Sequence, residues 1–319
     1  MKKFKVIIDT DPGVDDTTAI SLLLNDPVFD VKLITISTGN VILEQASRNA
    51  CHVLDLFNKD IPVVNGYKER MLPNNEHAYH VHGVEGMGFY MPPKTTTHKP
   101  LKKDCADAMY ETVKQYAGEI ILFVLGPHTN VATMLKKYPD SAKMIKQIVM
   151  MGGAPDGIRT NPNYRSFNIR TDAIAFDITA NAKIPTILCP SNIGRDVTYF
   201  TEDQVTEISK MGKFGKFLEK TYGTYWEPDY PEKIISTCDL ASVYSIVYPR
   251  LYTMKNAFIA VDTKEYIGKL IPTYCKEGNF KIVKDVKRKK FHKIIFKKLE
   301  MLSKIDMTNK TFLKNIKAD

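Results

Sequence analysis

Four carboxylates within eight residues, Asp9, Asp11, Asp15 and Asp16, stand at the junction of an apolar run and a helix in IIDTDPGVDDTTA. The run Phe4 to Ile8 is short and β-rich, whereas Val14 to Leu24 has helical spacing with Asp15 and Asp16 in its first turn. Between them Pro12-Gly13 predicts a tight turn that folds Asp11 back toward Asp15 and Asp16. Like charges crowded into one turn raise one another's pKa, so the cluster calls for a cation or another partner. Oxygen-only ligands suit calcium or magnesium rather than zinc, and no His or Cys accompanies the acids in the turn. Capping by Asp15, with Asp16 answering the positive helix end, is a competing account of two of the acids. It gives no reason for Asp9 and Asp11.

The strand-then-helix pattern recurs. Val31 to Ser37 precedes a helix near Leu43 to Phe57, Ile120 to Leu125 precedes Asn130 to Lys137, and Ile148 to Met151 and Pro185 to Leu188 read as further strands. This alternation predicts an α/β fold: a mostly parallel central sheet with helices on both faces. Ligands of such sheets bind beyond the carboxyl ends of the strands. Asp9, Ser37 to Asn40, Leu125 to Thr129 and Met151 to Ala154 all follow a predicted strand, which gathers their loops at one rim. Gly66 to Pro100 and Asp156 to Asn168 read as long loops, a length that usually signals function or disorder. With neither repeats nor a low-complexity linker, residues 1–319 are expected to form a single domain, with a small helical and β appendage after about Thr201.

A chain of 319 residues, 44% of them hydrophobic, can fill a sizeable core. After Met1 to Lys5 only Val6 to Ile8 are apolar before Asp9, so no signal-peptide core is expected, and no apolar run is long enough to cross a bilayer. The five cysteines, Cys51, Cys105, Cys189, Cys238 and Cys275, lack CxxC spacing and read as reduced thiols of a cytoplasmic protein. Much of the net charge of +9 falls in Lys281 to Lys298, where cations alternate with apolar residues. That stretch reads as the solvated face of an amphipathic helix, with a polyanion contact as the alternative. No nucleic acid or membrane partner is expected.

DTDPGVDD at Asp9 to Asp16 resembles the amino-terminal signature of the nucleoside hydrolase family, and the resemblance covers most of the chain. It continues through STGNV (Ser37 to Val41), HVHGVEGMG (His80 to Gly88), LGPHTNVA (Leu125 to Ala132), VMMGGA (Val149 to Ala154), SFNIRTD (Ser166 to Asp172) and CDLAS (Cys238 to Ser242). The likeness is to the inosine-uridine preferring type, and to its cysteine-bearing branch. It implies hydrolysis of the N-glycosidic bond of ribonucleosides to free base and ribose, in a homodimer or homotetramer serving nucleoside salvage. Position by position it implies that Asp11, Asp16, the backbone carbonyl of Leu125 and Asp239 hold one calcium ion (Ca2+). Asp15 would act as general base toward a water on that ion, and His82 would join it among the catalytic residues. Asn40 and Asn168 would bind the sugar, whose hydroxyls meet the ion beside Asp239, with Ser166 and Phe167 in the same substrate wall. Asp9 would orient the turn from behind. An oxocarbenium-like transition state suits such a set, which offers an activated water, anionic surroundings and a grip on the hydroxyls. Read locally, Asn40 is equally a turn residue, Asn168 a loop cap, His82 a solvated loop histidine and Asp239 a helix cap.

Two positions depart from the family pattern. The family usually has an acid where Ser166 stands, and one large branch has His where Cys238 stands. The first weakens 5′-hydroxyl recognition as the family does it; with Arg159 and Arg165 near Ser166, it raises the alternative of a hydrolase for 5′-substituted nucleosides. The second removes a candidate acid for the departing purine, since thiols are poor acids near neutral pH. In Tyr222 to Tyr230, Tyr225 and Trp226 are candidate base contacts in a candidate lid, with core packing or a dimer contact as the other account. Two rival functions stand beside the hydrolase: a catalytically impaired nucleoside- or ribose-binding homologue, and more remotely a phosphatase using Asp9-Thr10-Asp11 as an Asp-x-Asp nucleophile pair.

Overall fold

Val6, Ile7 and Ile8 are all fully buried, because the strand that carries them is covered on both faces. Successive side chains point to opposite sides, so Val6 and Ile8 join one hydrophobic core and Ile7 the other. The computed structural model describes residues 3–305 and Met307; Met1 and Lys2 of the opening segment lie outside the described residues.

Strands β1 (Phe4–Thr10), β2 (Phe29–Ile36), β3 (Val63–Asn65), β4 (Ile121–Val124), β5 (Gln147–Met151) and β6 (Thr186–Cys189) are parallel. β7 (Phe200–Thr201) and β8 (Ile234–Ile235) make a separate two-stranded ribbon. β9 (Tyr252–Val261), β10 (Leu270–Tyr274) and β11 (Phe280–Val286) complete a nine-stranded sheet of order β10-β9-β11-β6-β5-β4-β1-β2-β3. Among the described residues of this sheet, β9 runs opposite to the other eight strands. β1, β2, β4, β5 and β6, and the helices Val14–Asn25, Leu43–Leu56 and Thr129–Lys137, fall within a few residues of the expected positions, whereas β3 was not expected.

The C-terminal part does not stand apart as an appendage. Its strands β9, β10 and β11 extend the main sheet, β11 pairing in parallel with β6. The basic stretch Lys281 to Lys298 is likewise not one helix, since it holds β11 and then enters the helix Arg288–Ser303. β-branched Ile282, Val283 and Val286 favour the strand and bury there, and the helix buries Phe291, Ile295 and Leu299 in turn. The lysines of the stretch are half-buried or exposed.

The helix Val14–Asn25 is buried from Val14 to Leu24 because it lies between the sheet and the helices Cys238–Val243 and Arg288–Ser303. At its far end buried Asp26 accepts a hydrogen bond from Tyr244 Oη at 2.9 Å and an ion pair from Lys298 Nζ at 2.7 Å, tying three segments together. Among the described residues no helix is long and apolar enough to cross a membrane.

From β1 the chain runs one way to β2 and β3 and the other way to β4 and β5. A crevice opens where the connections diverge in this manner, between the carboxyl ends of β1 and β4. The first loops of the rim therefore meet there.

Candidate active site

Asp11, Asp15 and Asp16 rise from the end of β1, Asn40 from the end of β2 and Leu125 from the end of β4, whose amide bonds the Asp9 carbonyl at 2.8 Å. Asp239 arrives from far along the chain, in the first turn of the helix Cys238–Val243. One carboxylate oxygen each from Asp15, Asp16 and Asp239 lies within 4.8 Å of the others, and all three residues are buried.

Small residues and local hydrogen bonds set this packing. A Cβ on Gly39 would sit 1.9 Å from Asp11 Oδ2, and one on Gly13 would sit 2.5 Å from His82 Nδ1. Only glycine lets these loops close on the acids. The Asn40 amide donates to Asp11 Oδ2 at 2.8 Å, while its Nδ2 donates to Asp16 Oδ2 at 3.1 Å and to the Asp11 carbonyl at 3.2 Å. Thr10 Oγ1 donates to Asp16 Oδ1 at 2.5 Å and the Gly13 amide to Asp16 Oδ2 at 3.1 Å.

These donors leave the cluster short of positive charge. Asp11 Oδ1 and both carboxylate oxygens of Asp239 are buried without a hydrogen-bond partner. Burial, then the charge of Asp16, pushes Asp15 up to about 7. Burial raises Asp16 as well, and together with the neighbouring carboxylates it holds Asp11 and Asp239 well above the usual range. Acids placed so, with hard oxygen donors unspent, fit a divalent cation of the calcium or magnesium kind. Asn168 Nδ2 donates to the Leu125 carbonyl, holding that oxygen at the same place.

Asp9 stands apart. Its Oδ1 accepts from Thr35 Oγ1 at 2.7 Å and Asn130 Nδ2 at 2.8 Å, which ties β1 to β2 and to the helix Thr129–Lys137. Burial pushes its pKa up to about 7, against those two hydrogen bonds. It does not line the cavity above the acids.

That cavity has a volume of about 310 Å3. Asp15 and Asp239 face it, and Asp11 and Asp16 lie behind them. Of the other residues expected from sequence, Asn40, His82, Ser166, Phe167, Asn168 and Tyr225 also line it, together with Cys238. Phe167 and Asn168 belong to a short helix, Phe167–Arg170, rather than to the loop expected through Asn168. Ser166 Oγ accepts a hydrogen bond from the Gly153 amide.

His82 accepts the Val14 amide on Nδ1 at 3.1 Å, and burial, with lesser contributions from His80 and Arg195, depresses its pKa to about 3. A neutral ring that accepts on Nδ1 carries its proton on Nε2. Its centroid lies 5.1 Å from that of Tyr225. The Cys238 thiol is pushed up to about 12, first by burial and against the nearby charge of Arg195, and its Sγ contacts the Ser191 carbonyl at 3.6 Å.

Trp226 is not in the cavity wall. Trp226 is bridged to Ile235, and the Glu227 amide bonds the Ile234 carbonyl at 3.0 Å. Tyr225 and Glu227 line the cavity, while Trp226 packs on the core under Lys233 Nζ, 4.6 Å from its ring centroid. Arg159 is also outside the wall, paired with Glu232 at 2.8 Å and set over Tyr230. Arg165 lines the cavity and donates to the Ile267 carbonyl at 3.1 Å.

Sequence reasoning missed Arg195, Glu227 and Tyr164. Arg195 sits on a π-helical turn, Ile193–Val197, just past β6, pairs with Glu227 through Nη1 and lies over the Tyr164 ring at 5.1 Å. Its place after a predicted strand was the available signal.

The family model described as inosine-uridine preferring nucleoside hydrolase matches residues 6–293. The non-specific ribonucleoside hydrolase RihC of Salmonella typhi is 32% identical over 264 residues, covering 81% of this chain and 83% of that protein. A plant nucleoside hydrolase, PpNRh1, superposes with a TM-score of 0.87 at 29% identity, covering 94% of this chain and 99% of its own. The purine-preferring ribonucleoside hydrolase from Gardnerella vaginalis does so with a TM-score of 0.87 at 27% identity, covering 95% of this chain and 100% of its own.

Proposed function

Since the chain belongs to the inosine-uridine preferring nucleoside hydrolase family and is a ribonucleoside N-glycosyl hydrolase, we propose that Asp15 is its general base and that a calcium ion sits among Asp11, Asp16, Asp239 and the Leu125 carbonyl. The observation that carries this reading is geometric: Asp15 faces the cavity, while buried oxygens of Asp11 and Asp239 lack any partner. A carboxylate at the cavity wall is placed to take a proton from water. A calcium ion bound there would supply positive charge that acidifies a water and attracts substrate hydroxyls.

The protein's own groups do the rest. Asn40 uses its side-chain amide on Asp11 and Asp16 and so fixes the acids. Asn168 bonds the Leu125 carbonyl and lines the sugar end with Asp239. Asp15 accepts the proton that the attacking water loses as its oxygen bonds C1′. The C1′–N bond breaks with its electron pair leaving on the base, which then takes up a proton. Tyr225 and Phe167 give the cavity its aromatic surfaces for the base and sugar.

Asp9 is held by Thr35 and Asn130 outside the cavity, which argues against an Asp9-Thr10-Asp11 phosphatase pair. Arg159 is engaged by Glu232, which removes one ground for a 5′-anionic substrate. A homodimer or homotetramer in the cytoplasm, serving nucleoside salvage, completes the reading and is testable by light scattering and fractionation. The deciding experiment measures free base and reducing sugar from uridine, cytidine, inosine and adenosine, with calcium and with excess chelator. Turnover that chelator abolishes supports the proposal; binding without turnover favours an impaired homologue, and full activity in chelator removes the metal.

A further inference from the structure

The acid cluster accounts for one end of the cavity; the other end has a charge that the hydrolytic machinery leaves unused. Arg195 faces the cavity with Tyr225 and Cys238. It gives one Nη1 hydrogen to Glu227, and its Nε is buried with no hydrogen-bond partner. The guanidinium is seated by the Tyr164 ring at 5.1 Å and by an ion pair in which the side chains are 17% and 8% exposed. A planar cation so fixed spends one hydrogen on Glu227 and keeps its other terminal nitrogen for an acceptor on a ligand.

Breaking the C1′–N bond puts an electron pair on the base, and the leaving-group end of this cavity has no strong acid among its buried groups. Cys238 holds its proton against the Ser191 carbonyl, and His82 is a neutral ring whose Nδ1 is already occupied. His80 lines the same cavity from its exposed mouth. A fixed cation meets developing negative charge without giving up a proton.

Resting on the nucleoside hydrolase reading above, we propose that Arg195, oriented by Glu227, is a catalytic residue of the leaving-group end: it donates a hydrogen bond to a carbonyl oxygen or ring nitrogen of the departing nucleobase and stabilises its negative charge. The electron pair of the broken bond stays on the base. The base takes its proton from solvent after departure, and Arg195 remains protonated throughout. The substrates served are ribonucleosides whose base carries an acceptor beside the glycosidic nitrogen.

The test compares uridine and inosine with 4-nitrophenyl riboside, whose nitrophenolate leaves without help, in wild-type, Arg195→Met and Arg195→Lys proteins at saturating calcium, with folding followed by circular dichroism. Arg195→Met is expected to lose about 100-fold in kcat on the two nucleosides and at most about threefold on the nitrophenyl riboside. Arg195→Lys, which keeps the charge and loses the planar fork, is expected between the two. A structural role lowers all three substrates by a common factor, and that result in the folded variants overturns the assignment. If Arg195→Met does not fold, Arg195→Lys alone decides by the same ratio. A selective loss in His80→Gln with none in the Arg195 variants also overturns it. Wild-type protein that cleaves none of the three overturns the hydrolase reading itself, and the arginine role with it.

Discussion

The amide of Val14, the first residue of the helix after the aspartate turn, donates to Nδ1 of His82 at 3.1 Å across 68 residues of chain. The bond makes the ring satisfy a free helix N–H, and it fixes the ring's proton on Nε2. His82→Phe keeps the bulk and removes the acceptor, so it is expected to lower unfolding stability by about 1–3 kcal/mol in urea titration. An unchanged midpoint would show that the bond carries no weight. Since burial depresses the pKa of His82 to about 3, it also contributes no inflection to the rate profile between pH 5 and 8.

Asp15 and Asp11 are expected to fail in different ways. Asp15→Asn should lower kcat by about 100- to 10,000-fold while calcium binding, measured by calorimetry, stays within a few-fold of wild type. Asp11→Asn should weaken calcium binding first, because it removes a carboxylate with a buried unpartnered oxygen. The reverse pattern would exchange ligand and base, an arrangement that the close approach of Asp15, Asp16 and Asp239 makes worth testing.

Calcium should stabilise the fold by mass action, since four buried acids repel one another without it. At about 100 times the dissociation constant the gain is about 2.7 kcal/mol, a rise in Tm of several degrees by calorimetry. A Tm indifferent to calcium and chelator would argue against a cation in the cluster.

Asp26 joins Tyr244 and Lys298 away from the cavity. Asp26→Ala leaves a buried hydroxyl and a partly buried ammonium without their acceptor, at an expected cost of about 2 kcal/mol in stability. Activity at low temperature should be unaffected, and a thermal midpoint equal to wild type would contradict the latch.

His128 is buried with neither ring nitrogen bonded, against the edge of Phe176 at 5.2 Å, and burial lowers its pKa to about 3. Below its ordinary pKa of 6.5 the unfolded chain takes up a proton that the folded chain refuses, so this residue's share of stability falls as pH falls toward 3. The slope is at most about 1.4 kcal/mol per pH unit. His128→Leu should therefore gain on wild type in unfolding free energy between pH 7 and pH 5. A constant difference across that range would contradict the assignment.

What the local pattern alone made legible lies close in sequence; the distant cavity residues Asn40, His82, Ser166, Asn168 and Asp239 came from the family resemblance. Asp9 to Asp16 run from the end of β1 through one turn into the helix Val14–Asn25, and that strand and helix are written in β-rich and helical spacing. Trp226 was expected at the base because the local pattern does not show its bridge to Ile235, a residue nine positions on, beside which it packs on the core. Arg195 went unnoticed because its partner Glu227 is 32 residues away. The C-terminal strands looked like an appendage because β11, which joins them to the main sheet, pairs with β6 nearly a hundred residues back.

By itself the sequence determined that this chain makes a parallel α/β sheet with a carboxylate turn at the end of its first strand, since short-range spacing dictates both. The resemblance named Asp239 among the acids and Asp9 behind the turn; only the tertiary structure brings the Asp239 carboxylate to the cluster, ties Asp9 to Thr35 and Asn130, and puts Arg195 in the same cavity wall. Those relations depend on which strands become neighbours around β1, and that choice is made by burial of the whole sheet rather than by any local pattern.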